Sequence, residues 1–317
     1  MDNINTTDLI AGQLQHAARV ADPFERLHIF HTILAYCNQQ ESASARLDMM
    51  YRFTQCQKCL ASMRDGNVAR AEQLIAAIEA APLELRSAAA RAGMEALYSA
   101  VVAYKHYAER DYESALACLE RSRQCFETLR ADGFERALLA MADLHLNMVR
   151  VYVASGQTGK AVDTAVEVLQ FLYSGRGGFS APADLTTLYT PVELRSITNF
   201  FTDALISKLL STNDHAQIDA FFQQLSATTA DWTPGALRTA FETYFRMTKD
   251  VVADGLDREF LSIVSIPALP VSLQYFIVAG HLKHRSEAAS PTASSVIDAY
   301  FDKLPEVKRL RTYSWCQ

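Results

Sequence analysis

Glycine and proline, the residues that most often interrupt regular structure, are scarce in this sequence. The chain of 317 residues contains 12 glycines and 9 prolines, which is low for a fold built of many short strands and turns. Apolar residues recur with the period of an α-helix almost throughout the chain. We therefore predict an all-α fold and exclude an all-β architecture.

Sequence motifs of common enzyme classes are also missing. The sequence contains no G-x-S-x-G, H-E-x-x-H, P-loop or G-x-G-x-x-G motif. Acidic pairs such as Glu109 and Asp111 stand at predicted helix ends, where carboxylates are more often caps than general acids or bases. We therefore expect a protein that is not an enzyme and that binds no cofactor.

The chain has neither a strong charge nor a long apolar run. Its formal net charge is −6, which gives no electrostatic reason to expect nucleic-acid binding. The first residues are polar and acidic, unlike a signal peptide, and no window approaches 18 uncharged apolar residues. Six cysteines at predicted helical positions suit a reducing compartment. We expect a cytoplasmic protein that binds no membrane, and the oligomeric state stays open.

Cys56 and Cys59 form a single C-x-x-C motif. A structural zinc ion needs four ligands, usually from two such pairs, and no second pair is present. A redox C-x-x-C would begin a helix, whereas this one lies in the middle of a predicted helix. We interpret both residues as core cysteines, with a metal or redox role as the open alternative.

Two histidine pairs, His28 with His31 and His281 with His284, each place two imidazoles on one helix face. Glu25 could give the first pair a third metal ligand. Di-iron bundles use a Glu-x-x-His motif on two helices, and no second copy is apparent here. We therefore predict no metal site.

Three short polar turns each precede an alanine by four to five residues, with helix-forming sequence on both sides. The alanines are Ala71, Ala115 and Ala161, which are 44 and 46 residues apart. Self-similarity at such a period indicates stacked helical hairpins. A small residue near a tight turn lets the two helix backbones approach, and glycines such as Gly66, Gly156 and Gly159 suit the turns.

The segment 96–129 resembles the tetratricopeptide repeat, and segments 52–80 and 142–172 match that family in part. The matching residues of the first segment are the glycine-like Ala103, the turn tyrosine Tyr112, the small Ala115 and the large Leu119. The period here exceeds the 34 residues of that family. The resemblance implies antiparallel helical hairpins stacked as a tetratricopeptide-like solenoid.

A glycine-rich break separates two predicted parts of the chain. Residues 173–182 contain three glycines and a proline, which predicts a long loop. We predict a helical-repeat half at 1–173, a linker at 174–190 and a diverged helical half at 191–317. Whether the loop at 174–182 is functional stays open.

Specific sequence signals place the ends of several helices. Pro82 is predicted to begin the helix that runs to about Glu109. Asp132 with Glu135, and Thr190 with Glu193, are predicted capping pairs. Further helices are predicted at 6–20, at 215–227, at 234–254 and in four segments between 257 and 312.

The resemblance implies that the first helix of each hairpin lines a concave surface. Tyr104, Asn147, Arg150 and Tyr152 lie on such helices and are our predicted partner-binding residues. Their side chains suit peptide backbone groups and carboxylates. One alternative is that the tyrosines are core residues while Asn147 and Arg150 face solvent. Another is that Arg150 only pairs with an acid such as Asp143 or Glu135.

These observations favour a non-catalytic scaffold or regulator that binds a protein or peptide through a concave helical surface. Two alternatives stay open. One is an all-α enzyme with a cavity between the two halves, and the other is a self-assembling structural protein.

Overall fold

The computed structural model describes residues 26–39, 41–81, 83–176 and 183–210, together with residues 212, 216, 220, 221, 223 and 224. These residues are mostly helical and include no strand, which confirms the all-α prediction. The helices are α1 (Arg26–Asn38), α2 (Ala43–Arg64), α3 (Val68–Ala80), α4 (Ala88–Ala108), α5 (Tyr112–Ala131), α6 (Ala137–Ala154), α7 (Thr158–Ser174), α8 (Leu185–Leu188) and α9 (Pro191–Leu210).

The described residues belong to two compact units. The first unit is Glu25–Gln157, and the described residues from Thr158 onward belong to the second. The described parts of the predicted linker at 174–190, including the short helix α8, lie in the second unit.

Helical hairpins make up most of the first unit. Helix α2 packs against α3, α4 packs against α5, and α6 packs against α5. Helix α1 contacts α2, α4 and α6. The predicted crossing residues Ala71 and Ala115 are fully buried, as close approach of the two helices of a hairpin requires.

Four helix ends in this unit share one hydrogen-bond geometry. At the end of α2, the Asn67 amide donates to the Ser62 carbonyl and the Gly66 amide to the Met63 carbonyl. The ends of α4, α5 and α6 repeat this pair of bonds, which is the Schellman arrangement. It needs a left-handed residue just after the helix cap, and those residues are Gly66, Arg110, Gly133 and Gly156.

The next helix starts within the same turn. Asn67 and Asp111 each accept a hydrogen bond on the side chain from the backbone amide three residues ahead, at 3.2 Å. One short segment therefore both stops a helix and caps its successor.

Several predicted helix ends need correction. Helix α4 begins at Ala88 with Ser87 as its N-cap, not at Pro82. Asp132 caps the end of α5, and α6 begins without a side-chain cap. Gly159 lies inside α7, so its predicted role in the turn is wrong.

The capping box of α9 is confirmed. The Thr190 amide donates to Glu193 Oε2 at 2.8 Å, and the Glu193 amide donates to Thr190 Oγ1 at 3.3 Å. The helices predicted at 6–20 and beyond residue 224 lie outside the described residues.

Helix α6 is the most apolar described helix. By length and composition alone it could cross a membrane, yet 72% of that window is buried inside the fold. The core helix of a globular protein passes the same test, so this finding is weak evidence for a membrane span.

Candidate functional site

The cysteine motif lies in the core of the first unit. Cys56 and Cys59 are buried against Ile75, Ile78 and Val101. Burial raises the pKa of Cys56 to about 12 and also raises the pKa of Cys59. A buried thiol that keeps its proton is a weak nucleophile, so we retain the interpretation of core cysteines, with a metal role as the open alternative.

The described residues contain no group of three or more His, Cys, Asp and Glu side chains placed to hold a metal ion. His281 and His284, and the side chains of His28 and His31, lie outside what the structure describes. The absence of a metal site from the whole chain stays a prediction.

Three tyrosines form a row beside the turn between α4 and α5. The ring centroids of Tyr104 and Tyr107 are 6.1 Å apart, and those of Tyr107 and Tyr112 are 6.2 Å apart. Both ring pairs are tilted, by 42° and 56°, rather than stacked. All three side chains are half-buried, so the row presents part of each ring to solvent.

Two arginines lie close to this row. The guanidinium of Arg64, the last residue of α2, lies 6.0 Å from the Tyr104 ring centroid, a distance typical of a cation–π contact. Burial raises the pKa of Tyr107, and the nearby Arg150 charge acts in the opposite direction. We call the group Arg64, Tyr104, Tyr107, Tyr112 and Arg150 the tyrosine strip.

Arg150 is oriented by polar contacts within α6. Its Nη1 donates to Asn147 Oδ1 at 2.6 Å, and Asn147 Nδ2 donates to Asp143 Oδ2 at 3.2 Å. The side chain of Asp143 is buried. Asn147 thus links the guanidinium of Arg150 to the buried carboxylate of Asp143.

The alternative partner for Arg150, Glu135, has another neighbour. Glu135 Oε2 lies 3.4 Å from Arg130 Nε. The alternative with Asp143 has structural support, because Asn147 bridges the two side chains.

The fourth predicted site residue, Tyr152, lies on another side of α6. It follows Asn147 by five residues, which is about 140° around a helix. Its half-buried ring is close enough to Glu120 of α5 for that charge, together with burial, to raise the pKa of Tyr152. The structure therefore joins Asn147 and Arg150 by a hydrogen bond, brings the charge of Arg150 within range of Tyr107, and places Tyr152 on another side of α6.

Helix α1 contacts the first turn of α4, at the other end of that helix from the tyrosine strip. Cys37 Sγ lies 3.5 Å from the Ala89 carbonyl oxygen in the first turn of that helix. The Tyr36 ring stacks on Phe134 and its hydroxyl donates to the Asp132 carbonyl at 2.8 Å. The tyrosine strip lies near the last turn of α4, away from these contacts.

The site predicted from the sequence omits Arg64, Tyr107 and Tyr112. A signal for the strip was present, because Tyr104 and Arg150 each stand five residues before the cap residue that ends their helix. The tetratricopeptide-like arrangement predicted from the sequence would place equivalent positions of successive hairpins side by side. Arg64 carries no such signal, since its position depends on how α2 packs against α4.

Comparisons with protein-family models, with characterised proteins and with solved structures find no match.

Proposed function

We propose that this chain is a non-catalytic, cytoplasmic scaffold or regulator that binds a protein or peptide through the tyrosine strip. The proposal includes a tetratricopeptide-like solenoid in which α2 and α4 are the first helices of successive hairpins. The strip takes residues from α2, α4 and α6 and from the start of α5.

One observation carries the proposal: the strip contains three phenol hydroxyls without partners among the described residues. The hydroxyls of Tyr104, Tyr107 and Tyr112 form no hydrogen bond with any described residue, whereas Tyr36 and Tyr98 bond to acids. Half-buried aromatic rings with such polar ends, flanked by arginines, are typical of protein-binding surfaces.

Site-specific photo-crosslinking tests the proposal. A photoreactive phenylalanine analogue replaces Tyr104 in one variant and Gln124 in a control variant. Gln124 is exposed on α5, twelve residues beyond Tyr112 and outside the strip. We expect a protein in an extract of the native cells to crosslink at position 104 and not at position 124.

Calorimetry with that purified partner then measures the contribution of each residue. We expect Arg150→Ala to weaken binding by roughly 1–3 kcal/mol, because a charge-assisted hydrogen bond is lost. Tyr152→Ala, on the other side of α6, tests which set of residues binds the partner. The set predicted from the sequence includes Tyr152, whereas the tyrosine strip does not. Equal crosslinking at both positions, or binding unchanged by both Arg150→Ala and Asn147→Ala, would refute the proposal.

Self-assembly is supported as a second candidate by an exposed apolar group on α2. Leu47, Met50 and Tyr51 are 71%, 42% and 56% exposed and follow the i, i+3, i+4 spacing of one helix face. Sedimentation of the wild type and of Leu47→Glu over a range of concentrations tests this candidate. A mass that grows with concentration in the wild type alone supports it, and a constant mass in both excludes it.

A further inference from the structure

One face of α2 is exposed along most of the helix. Its residues follow the alternating three- and four-residue spacing of a coiled-coil seam, and all six are exposed: Ser44, Leu47, Tyr51, Thr54, Lys58 and Ala61. Met49 and Phe53, on the other side of the helix, are buried and anchor α2 in the first unit. Leu47, Met50 and Tyr51 are three of the four large apolar side chains that are exposed among the described residues. Such a seam is typical of a helix that packs against a second helix.

Two charged side chains on this part of α2 lack partners. Asp48 and Lys58 are exposed, and their side chains form no ion pair or hydrogen bond in the part of the chain that the structure describes. They stand ten residues apart, which is about 15 Å along a helix, so they cannot pair with each other. A second α2 that runs in the opposite direction offers a base to the acid and an acid to the base. The face is therefore complementary to itself, as a two-fold interface requires.

An antiparallel pair of α2 helices with its two-fold axis between residues 52 and 53 satisfies the whole seam. Three kinds of contact then repeat on both sides of the axis: Leu47 with Lys58, Tyr51 with Thr54, and Ser44 with Ala61. The methylene stem of Lys58 covers the apolar side chain opposite it, and its ammonium group reaches Asp48, the next residue along. The Thr54 hydroxyl already donates to the Met50 carbonyl at 2.8 Å, which leaves its methyl group for the tyrosine ring.

The charges also exclude the simplest competing register. An axis near residue 49 would place Leu47 of one copy against Tyr51 of the other. It would also bring the two Asp48 carboxylates together, and like charges in contact disfavour an interface. The register that pairs Asp48 with Lys58 has no such conflict.

We infer that two copies of this chain pair through α2, antiparallel around a two-fold axis between residues 52 and 53. The inference rests on the second candidate of the proposed function, self-assembly, and specifies its contact. A two-fold interface closes after two copies, so the assembly is a dimer and not a filament. One pair of short helices buries less than the roughly 1,200 Å² of a standard stable interface, so the dimer forms only at high protein concentration.

Sedimentation of the full chain with reversed charges tests this inference up to millimolar concentration. Asp48→Lys sets two bases against each other, and Lys58→Glu sets two acids. We expect each change to weaken self-association about tenfold, because both ion pairs of the dimer become repulsions. An equal mixture of the two variants restores opposite charges in the mixed dimer and should recover most of the lost association. Glu72→Lys, at an exposed position of α3, is the control and should associate like the wild type.

Three results would overturn the inference: a wild type that stays monomeric, charge reversals that leave self-association unchanged, or a mixture that associates no better than either variant alone. Circular dichroism checks that each variant is folded. Failure here is distinct from failure of the proposed function. If Leu47→Glu abolishes self-association and the charge reversals do not, α2 self-assembles in another arrangement. A wild type that stays monomeric leaves the tyrosine strip to its own crosslinking test.

Discussion

Arg110 is the only non-glycine residue with a positive φ, 65°, among the residues that the structure describes. It occupies the left-handed position where the ends of α2 and α6 have Gly66 and Gly156. This conformation costs an L-residue about 1–2 kcal/mol. Glycine avoids that cost, but it loses more conformational entropy on folding, which cancels part of the gain. We expect Arg110→Gly to raise the free energy of unfolding by about 0.5–1 kcal/mol, measured by urea denaturation.

Two glycines provide the controls for this change. Gly66→Ala, at the equivalent turn, should lower the free energy of unfolding by about 1 kcal/mol. Gly159 has no positive φ and open space around an added Cβ, so Gly159→Ala should be neutral or slightly stabilising. A loss of stability in Arg110→Gly would mean that the arginine side chain contributes more than the backbone strain costs.

His145 makes the stability of the first unit depend on pH. Burial is the main cause that lowers its pKa below the ordinary value, and the nearby Arg123 acts in the same direction. The bond between Nδ1 and the Met141 carbonyl, at 2.7 Å, and the charge of Glu120 act in the opposite direction. The neutral imidazole is therefore the form that the fold accommodates.

The sign of the pH effect follows from that lowered pKa. Above about pH 6.5 the imidazole is neutral in both states, and its contribution to stability is complete. Below it the unfolded chain binds a proton first, so the free energy of unfolding falls as the pH approaches the folded pKa. We expect His145→Gln to reduce the loss of stability between about pH 7.5 and pH 5, measured by urea denaturation. An identical pH dependence in both proteins would contradict this assignment.

At the scale of elements, the packing of α1 against α4 depends on Gly93. A Cβ at this position would overlap Cys37 Sγ, whereas its distance to Ile33 Cγ2, 3.6 Å, is an ordinary contact. We expect Gly93→Ala to destabilise the protein by about 1–3 kcal/mol, because overpacking displaces one helix. Cys37→Ala removes the obstructing sulfur, so Gly93→Ala should cost much less in that background.

A double-mutant cycle measured by thermal or urea unfolding tests this contact. If Gly93→Ala costs the same in the wild type and in the Cys37→Ala background, α1 does not pack here. Ala92→Gly, next to Gly93 in α4, measures helix propensity, which favours alanine over glycine by about 1 kcal/mol and therefore opposes the cost of overpacking in Gly93→Ala.

The sequence predicted most helix ends where the signal is local. The turns after α2 and α6 combine polar residues and glycines, whereas the turn after α4 has polar residues only, with Arg110 in the left-handed position. All three turns precede a buried alanine, and α4 ends one residue before the predicted Glu109.

The start of α4 has a local signal that the prediction missed, the N-cap Ser87, whose side chain accepts a hydrogen bond from the Ala90 amide. The buried carboxylate of Glu41, distant in sequence, adds bonds from the amides of Ser87 at 2.7 Å and Arg86 at 3.3 Å, and these could not be predicted locally.

The candidate site likewise combines residues that local sequence patterns predict with residues that depend on contacts distant in sequence. Tyr104, Asn147 and Arg150 follow from positions within hairpins, and the side of α6 on which Tyr152 lies follows from helical periodicity alone. The approach of Arg64 to Tyr104 depends on contact between two hairpins, and so does the position of α1. Contacts of this kind join residues far apart in sequence and leave no local pattern. Their role in binding stays a prediction.

At the scale of the whole molecule, each unit has a buried core of its own. The first unit buries, for example, Met49, Phe126 and Leu146. The second buries Phe171, Phe201 and Leu205. A compact unit with its own core can unfold as a cooperative block. Each of the two units can therefore have an unfolding transition of its own.

The two tryptophans separate these transitions, because Trp232 and Trp315 both follow residue 157 in the sequence. Tryptophan fluorescence therefore reports on the part of the chain after the first unit, whereas far-UV circular dichroism reports on all helices. Ala115→Leu overpacks the crossing of α4 and α5 and should destabilise the first unit by roughly 1–3 kcal/mol. We expect it to shift the dichroism transition in urea and to leave the fluorescence transition in place.

Ala117→Leu is the matched control, since Ala117 is exposed on the same helix and should change stability by no more than about 0.5 kcal/mol. If Ala115→Leu moves both transitions equally, the two units unfold as one cooperative block. If it moves neither, Ala115 is not at a packed crossing, and the tetratricopeptide-like arrangement proposed for these hairpins loses the contact on which it rests.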